Sequence, residues 1–132
     1  MSFLTHNQTR QTDLGLLVLR IVGGGFMLTH GIPKLMKLLD GNMEFADPIG
    51  VGPTFSLILT VFAEVICAVF ILVGYKTRLA TIPLLVTMAV AAFIVHADDP
   101  WGRKEFGLLY FGIYLALLMM GGGRHSVDER LS

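Results

Sequence analysis

The chain holds a single cysteine, Cys67, in 132 residues. That scarcity removes an intrachain disulfide, a CxxC redox pair and a thiolate-rich metal site. A self-contained dithiol–disulfide enzyme goes with them, and Cys67 reads as a small packing residue. Net charge is missing too: ten Lys and Arg balance ten Asp and Glu. There is no basic footprint, so no nucleic-acid partner is expected. No phosphate loop exists either, because Gly23-Gly24-Gly25 lacks a preceding strand and a Lys-Ser/Thr ending. Those glycines suit close helix contact or a local bend. His6 and His125 lie in polar ends, and His30 and His96 alone do not make a metal-site spacing. No metal is expected, and a haem between His30 and His96 is unsupported.

What is present is apolar sequence. Hydrophobic residues make up 54% of the chain, and the mean hydropathy of +0.69 exceeds what a soluble core of this size needs. Fifteen glycines suit helices packing closely in lipid. Four apolar stretches predict an all-α fold, an integral membrane bundle of four transmembrane helices in one domain over residues 1–132. Helices are expected at about 14–39, 54–73, 79–96 and 104–120, each near the length that crosses ~30 Å of hydrocarbon. Thr12-Asp13 is a capping candidate for the first. Its leader is polar rather than basic, Arg20 breaks the apolar region and no small-x-small site follows. It is therefore expected to stay in the mature protein rather than act as a signal peptide. Pro53 before the second stretch and Gly74 after it give the usual helix asymmetry.

Charge bias sets the expected orientation. The link Gly74-Tyr75-Lys76-Thr77-Arg78 is basic without acids, whereas the longer links carry Asp40, Glu44 and Asp47, then Asp98, Asp99 and Glu105. The positive-inside rule puts the short link and both termini in the cytoplasm, with Trp101 as an outer interfacial anchor.

Ionisable residues stand where hydrocarbon disfavours them. Arg20, His30 and Lys34 interrupt or end the first stretch, and Glu64 sits within the second. Such residues face a bundle interior or a watery cavity. At about 100° per residue, Arg20, Gly24, Met27, Gly31 and Lys34 share one face, with His30 on its flank. Thr60, Glu64, Cys67 and Ala68 share another, as do Arg78, Leu85, Ala89, Ala92 and His96. In the fourth, Tyr110 and Tyr114 are one turn apart beside a stripe of Glu105, Gly112 and Ala116. By depth, Arg20–Glu64 is the expected buried pair, as a working site or as a structural clamp. Lys34 and Lys37 read as snorkelling to the headgroups, and Lys76 and Arg78 as topology determinants. His30 reads as structural first, a proton relay second and a metal ligand a distant third. His30, Lys34, His96, Lys104, Glu105 and Tyr110 gather toward the outer leaflet, suggesting a polar column that opens there.

The chain resembles the DoxX family of small four-helix membrane proteins. The likeness rests on Leu19-Arg20-Ile21, Phe26, His30-Gly31 and Lys34-Leu35, then Glu64, then Gly74-Tyr75-Lys76-Thr77-Arg78. His96, Glu105 and the ending Gly121-Gly122-Gly123-Arg124-His125-Ser126-Val127-Asp128 complete the ordered set. The resemblance implies a bacterial or archaeal inner-membrane protein. It also implies a link to membrane redox complexes, through relatives similar to subunits of thiosulfate:quinone oxidoreductase.

Three functions are compatible with these residues. The first is a quinone-linked redox subunit, with Arg20, His30 and Glu64 as the polar site. Its quinone pocket would comprise Arg20, His30, Lys34, Glu64, His96 and Tyr110. Without a flavin, iron–sulfur or dithiol motif it needs a redox-protein partner. The second is a non-enzymatic assembly or anchoring partner acting through the Asp40–Pro53 loop or the Arg124–Ser132 tail. The third is a small-solute or proton pathway, for which four helices without an internal repeat would need a homo-oligomer.

Overall fold

The computed structural model describes residues 6–42, 44, 45, 47 and 50–131. Parts of the Asp40–Pro53 loop and Ser132 of the tail, both expected contact surfaces, lie outside the described residues. Helix α1 runs uninterrupted through α-helical His6–Arg20, a π-helical turn Ile21–Phe26 and α-helical Met27–Leu39. Helix α2 does the same through Pro53–Val61, the π turn Phe62–Cys67 and Ala68–Val73. Helix α3 joins Thr77–Val90 to a π turn at Ala91–Val95. Helix α4 spans Trp101–Met120, and the short α5 spans Val127–Leu131. Among the described residues there is no strand.

Among the described residues three helical runs, Thr9–Leu39, Pro53–Val73 and Thr77–Val95, are long and apolar enough to cross a membrane. Helix α4 has 20 residues but carries Arg103, Lys104 and Glu105 in its first turns, which sets it apart from the other three. The molecule is apolar outside: Val18, Phe26, Phe62, Val86, Phe93 and Leu109 are exposed. Its interior mixes large apolar side chains such as Met27, Leu57 and Tyr114 with small and polar ones such as Ala63, Thr77, Thr81, Arg20 and Glu64. The apolar exterior suits a lipid surround and would be an aggregation liability in water.

Several helix starts come earlier than expected. The polar leader is itself helical, so Asp13 lies inside α1. Its carboxylate accepts the Arg124 N–H at 3.2 Å instead of capping. Helix α3 opens at Thr77 because an acid from the tail caps it there.

Glycines set the register of α1 against α2. A side chain at Gly24 would meet the backbone of Ala68 and Leu72, and one at Gly31 would strike the Glu64 carbonyl. The two backbones therefore touch at both levels, the close approach that small residues allow in membrane helices. The helices being antiparallel, this register sets Arg20 level with the last turn of α2 and Lys34 within a turn of Glu64.

The expected inner faces of α1 and α2 match the buried ones, and those of the other two helices match in part, with Ala92, Tyr110 and Tyr114 buried as expected. Helix α3 buries Thr77, Ala80, Thr81, Leu84, Met88 and Ala92. Arg78 lies outside, and Leu85 and Ala89 are only partly covered. Helix α4 buries Gly107, Tyr110, Tyr114 and Leu117, while Glu105 and Gly112 are exposed. On these two helices large apolar residues such as Leu84 and Leu117 are buried alongside small ones, with Gly107 lying against Met88 and Ala92.

Candidate functional site

The polar interior divides into two separate regions. Toward the half of the bundle away from the chain termini, Glu64 sits in the π turn at the middle of α2, and only 4% of its side chain is accessible. Lys34 Nζ donates to its Oε1 at 2.6 Å. This corrects the expected Arg20–Glu64 pair, and it gives Lys34 an inward partner where a headgroup contact was expected. The π turn widens the helix by a residue, a device that recurs at functional sites.

Two cavities share this pair. The larger, about 320 Å³, is lined by Lys34, Glu64, Ser56, Thr60, Thr87 and His96 on its polar side. Its apolar wall includes Leu59, Val86 and Val95. Those three are also exposed on the outer apolar surface, so the cavity opens sideways between α2 and α3. The smaller, about 120 Å³, is bounded by His30, Lys34, Glu64, His96 and Arg103.

Aromatic rings support the far side of the pair. His30 lies edge-on to Phe106 at 4.6 Å and to Tyr110 at 6.2 Å between ring centroids. Tyr110 stacks on Tyr114 at 6.1 Å, and the Tyr114 hydroxyl donates to the Gly23 carbonyl at 2.7 Å. That bond ties α4 to the π turn of α1. On the loop after α3, His96 Nδ1 meets Asp99 Oδ2 at 2.6 Å, and Arg103 stands 3.8 Å from the same oxygen. The His96 hydrogen bond holds the Asp99 carboxyl below its ordinary range, with Arg103 and Lys104 acting the same way.

Arg20 belongs to the second region, at the end carrying the chain termini. Its Nε donates to the Ile71 carbonyl at 3.1 Å and its Nη2 to Leu72 at 2.9 Å. Its Nη1 donates to Gly122 at 3.3 Å and His125 at 2.9 Å. Ile71 and Leu72 are among the last carbonyls of α2, which have no partner within the helix. A cation there also opposes the negative end of the helix dipole. Gly74, at φ +77°, completes the end: its N–H bonds Ile71 and that of Tyr75 bonds Phe70, a Schellman cap. A side chain at Gly74 would collide with Ser126 and the Arg20 guanidinium.

The tail then caps the next helix. The Asp128 carboxylate accepts from Lys76 N at 2.6 Å, Thr77 N at 2.9 Å and Thr77 Oγ1 at 2.8 Å. Burial alone would raise the Asp128 pKa, but these bonds and the Arg20 charge outweigh it and hold the carboxyl below its ordinary range. The signature segments of the short link and the C-terminal ending thus meet as a latch around Arg20.

Of the candidate residues, the structure brings Lys34, Glu64, His30 and His96 together and places Tyr110 behind His30. Arg20 lies elsewhere. Sequence reasoning missed Ser56, Thr87, Phe106 and Asp99. The first two hide in apolar runs, Phe106 looks like lipid-facing sequence, and only the His96–Asp99 spacing was available as a signal.

Comparison with known proteins agrees with the resemblance. The provisionally assigned oxidoreductase CatD of Bacillus subtilis (strain 168) is 31% identical over 108 residues, covering 80% of this chain and 79% of that protein. The uncharacterized membrane protein Rv3486 of Mycobacterium tuberculosis is 31% identical over 134 residues, 88% of this chain and 80% of that one. The inner membrane protein YphA of Escherichia coli K12 is 29% identical over 140 residues, 94% of this chain and 99% of that one. No solved structure matches the chain. The DoxX family profile matches residues 15–97, which takes in most of α1 and all of α2 and α3. With that match and with relatives that are themselves membrane proteins, the chain belongs to the DoxX family.

Proposed function

We propose that this membrane protein is the quinone-binding subunit of a redox complex in a bacterial or archaeal inner membrane. We take the chain as one domain crossing the bilayer four times, with both termini cytoplasmic. The observation that carries the proposal is the sideways-opening cavity that ends on the Lys34–Glu64 pair. A lipid-soluble ring needs an apolar slot of a few hundred Å³ with a small number of fixed polar groups, and access from the bilayer. The apolar wall of Leu59, Val86 and Val95 and the polar end of Lys34, Glu64 and His96 suit such a ring. The oxidoreductase name of CatD supports the same class of chemistry.

A quinone takes up two electrons and two protons to become a quinol, the electrons coming here from a partner redox protein. The residues of this chain have simpler tasks. Lys34 is placed to donate a hydrogen bond into the cavity while Glu64 holds it at the wall. Glu64 is the group positioned to carry a proton. His30 and Tyr110 back Lys34 from the other side. Arg20 has no part in this, since its guanidinium is committed to four carbonyls.

The test is lipid extraction and mass spectrometry on protein purified gently from native membranes. Near-stoichiometric quinone is expected in the natural protein. About tenfold less is expected in Glu64→Gln, the effect of losing one charge-assisted hydrogen bond. Absence of quinone alongside a co-purifying protein would favour the anchoring role instead. Proton or solute flux in vesicles holding this chain alone would favour a pathway.

A further inference from the structure

The two cavities meet at the same wall. Lys34, Glu64, Ala91 and His96 line both. The larger opens toward lipid through Leu59, Val86 and Val95. The smaller has Arg103 in its wall, a side chain that is 69% exposed at the head of α4. The Lys34–Glu64 ion pair therefore separates a lipid-facing space from one that meets the polar loop face. His96 stands at the boundary, with one ring nitrogen engaged by Asp99.

We propose that His96, held by Asp99, is the proton port of the Lys34–Glu64 site. The His96 Nδ1–H donates to Asp99 Oδ2, which fixes the tautomer and leaves Nε2 as the basic nitrogen. A proton from water at the loop face adds to Nε2 and makes the imidazolium, stabilised by the Asp99 carboxylate. It then leaves across the smaller cavity to a Glu64 oxygen, returning His96 to neutral and turning the carboxylate into a carboxyl. The cavity of about 120 Å³ has room for roughly four waters and a polar lining to hold them.

Charges around the port have matched roles. His30 and Lys34 face it from α1 and Glu64 from α2, while Arg103 faces it from α4. Asp99 and Arg103 form the outer contact, with Lys104 acting on Asp99 at longer range. Asp99 stays ionised because it accepts from His96, so it can steady a cation without competing for the proton. The port serves the same cavity as the quinone proposal, but its test reads proton arrival at Glu64 and needs no bound quinone. Either can fail without the other.

The experiment is a pH step from about 8 to about 4 on the full chain in lipid vesicles, followed by infrared spectroscopy. The Glu64 carboxyl band is assigned as the one missing from Glu64→Gln. His96→Phe is expected to slow the appearance of that band about a hundredfold, the scale of a positioned acid–base group. Asp99→Asn should slow it less, and Thr29→Val, at an exposed residue of α1 outside both cavities, should leave it unchanged. His96→Gln provides a polar replacement should the phenylalanine disturb folding. Unaltered rates in both His96 variants would overturn the proposal. So would a Glu64 that takes up no proton across the step.

Discussion

Arg20 and Lys34 are cations on one helix, roughly 21 Å apart along its axis, and their surroundings differ in kind. Arg20 donates to four backbone carbonyls, two at the end of α2 and two in the tail. Backbone acceptors cannot change charge, so the hydrogen-bond partners of Arg20 cannot switch. Lys34 has a side-chain partner, Glu64, which can gain a proton, and empty space lies on both sides of the pair. Burial of a charge does not by itself separate structure from chemistry. The kind of partner and the room beside it do.

The sharpest way to break this comparison is Arg20→Met. It strands carbonyls at the end of α2 and unties the tail, and it should cost about 3 kcal/mol. Thermal unfolding followed by circular dichroism in lipid nanodiscs would measure it. Arg20→Lys should recover only part of the loss, because one ammonium cannot reach the fork of acceptors a guanidinium spans. Quinone bound per folded molecule should stay level in both variants. Lost quinone at unchanged stability would put Arg20 in the working site and end the distinction.

Lys34→Met probes the other region and should cost less, about 2 kcal/mol. Glu64 is then left buried without its cation partner. Adding Glu64→Gln should restore most of the stability, a coupling of about 1 kcal/mol or more that marks a direct pair. Strictly additive losses in the same unfolding assay would mean the two side chains do not act together.

Asp128→Asn should have the smallest effect, about 1 kcal/mol at neutral pH, as for a lost helix cap. Its pH dependence has a definite sign. The Asp128 pKa is depressed in the folded protein. The stabilisation is therefore complete above the unfolded value of about 4 and fades as pH falls toward the lower folded value. Natural protein and Asp128→Asn should converge in melting temperature at acid pH. A gap that persisted there would assign the effect to packing of the tail rather than to the carboxylate.

Much of this architecture was legible in the chain. Apolar stretches bounded by Pro53 and Gly74 located α2, and the oddity of Glu64 within one of them located the polar site. The gathering of His30, Lys34, His96 and Tyr110 toward one end followed from counting residues. The choice of partner did not. Counting along separate helices paired Arg20 with Glu64 and sent Lys34 to the headgroups, and the register that decides otherwise comes from Gly24 and Gly31 touching the α2 backbone. The inner faces of α3 and α4 were read only in part for a related reason. Ala92, Tyr110 and Tyr114 are buried as expected, but Leu84, Met88 and Leu117 are buried too and carry no polar signal in the sequence.

By itself, then, the sequence determined that this is an apolar all-helical chain with charges that must be sheltered, because composition and hydropathy act locally. Only the tertiary structure decided that Arg20 closes a latch and that Lys34 holds Glu64 beside a cavity. Partners, empty volume and helix register are relations between distant residues. Each is set by backbones meeting at two glycines and by three π turns that shift the helical faces, and neither is visible in the chain read one helix at a time.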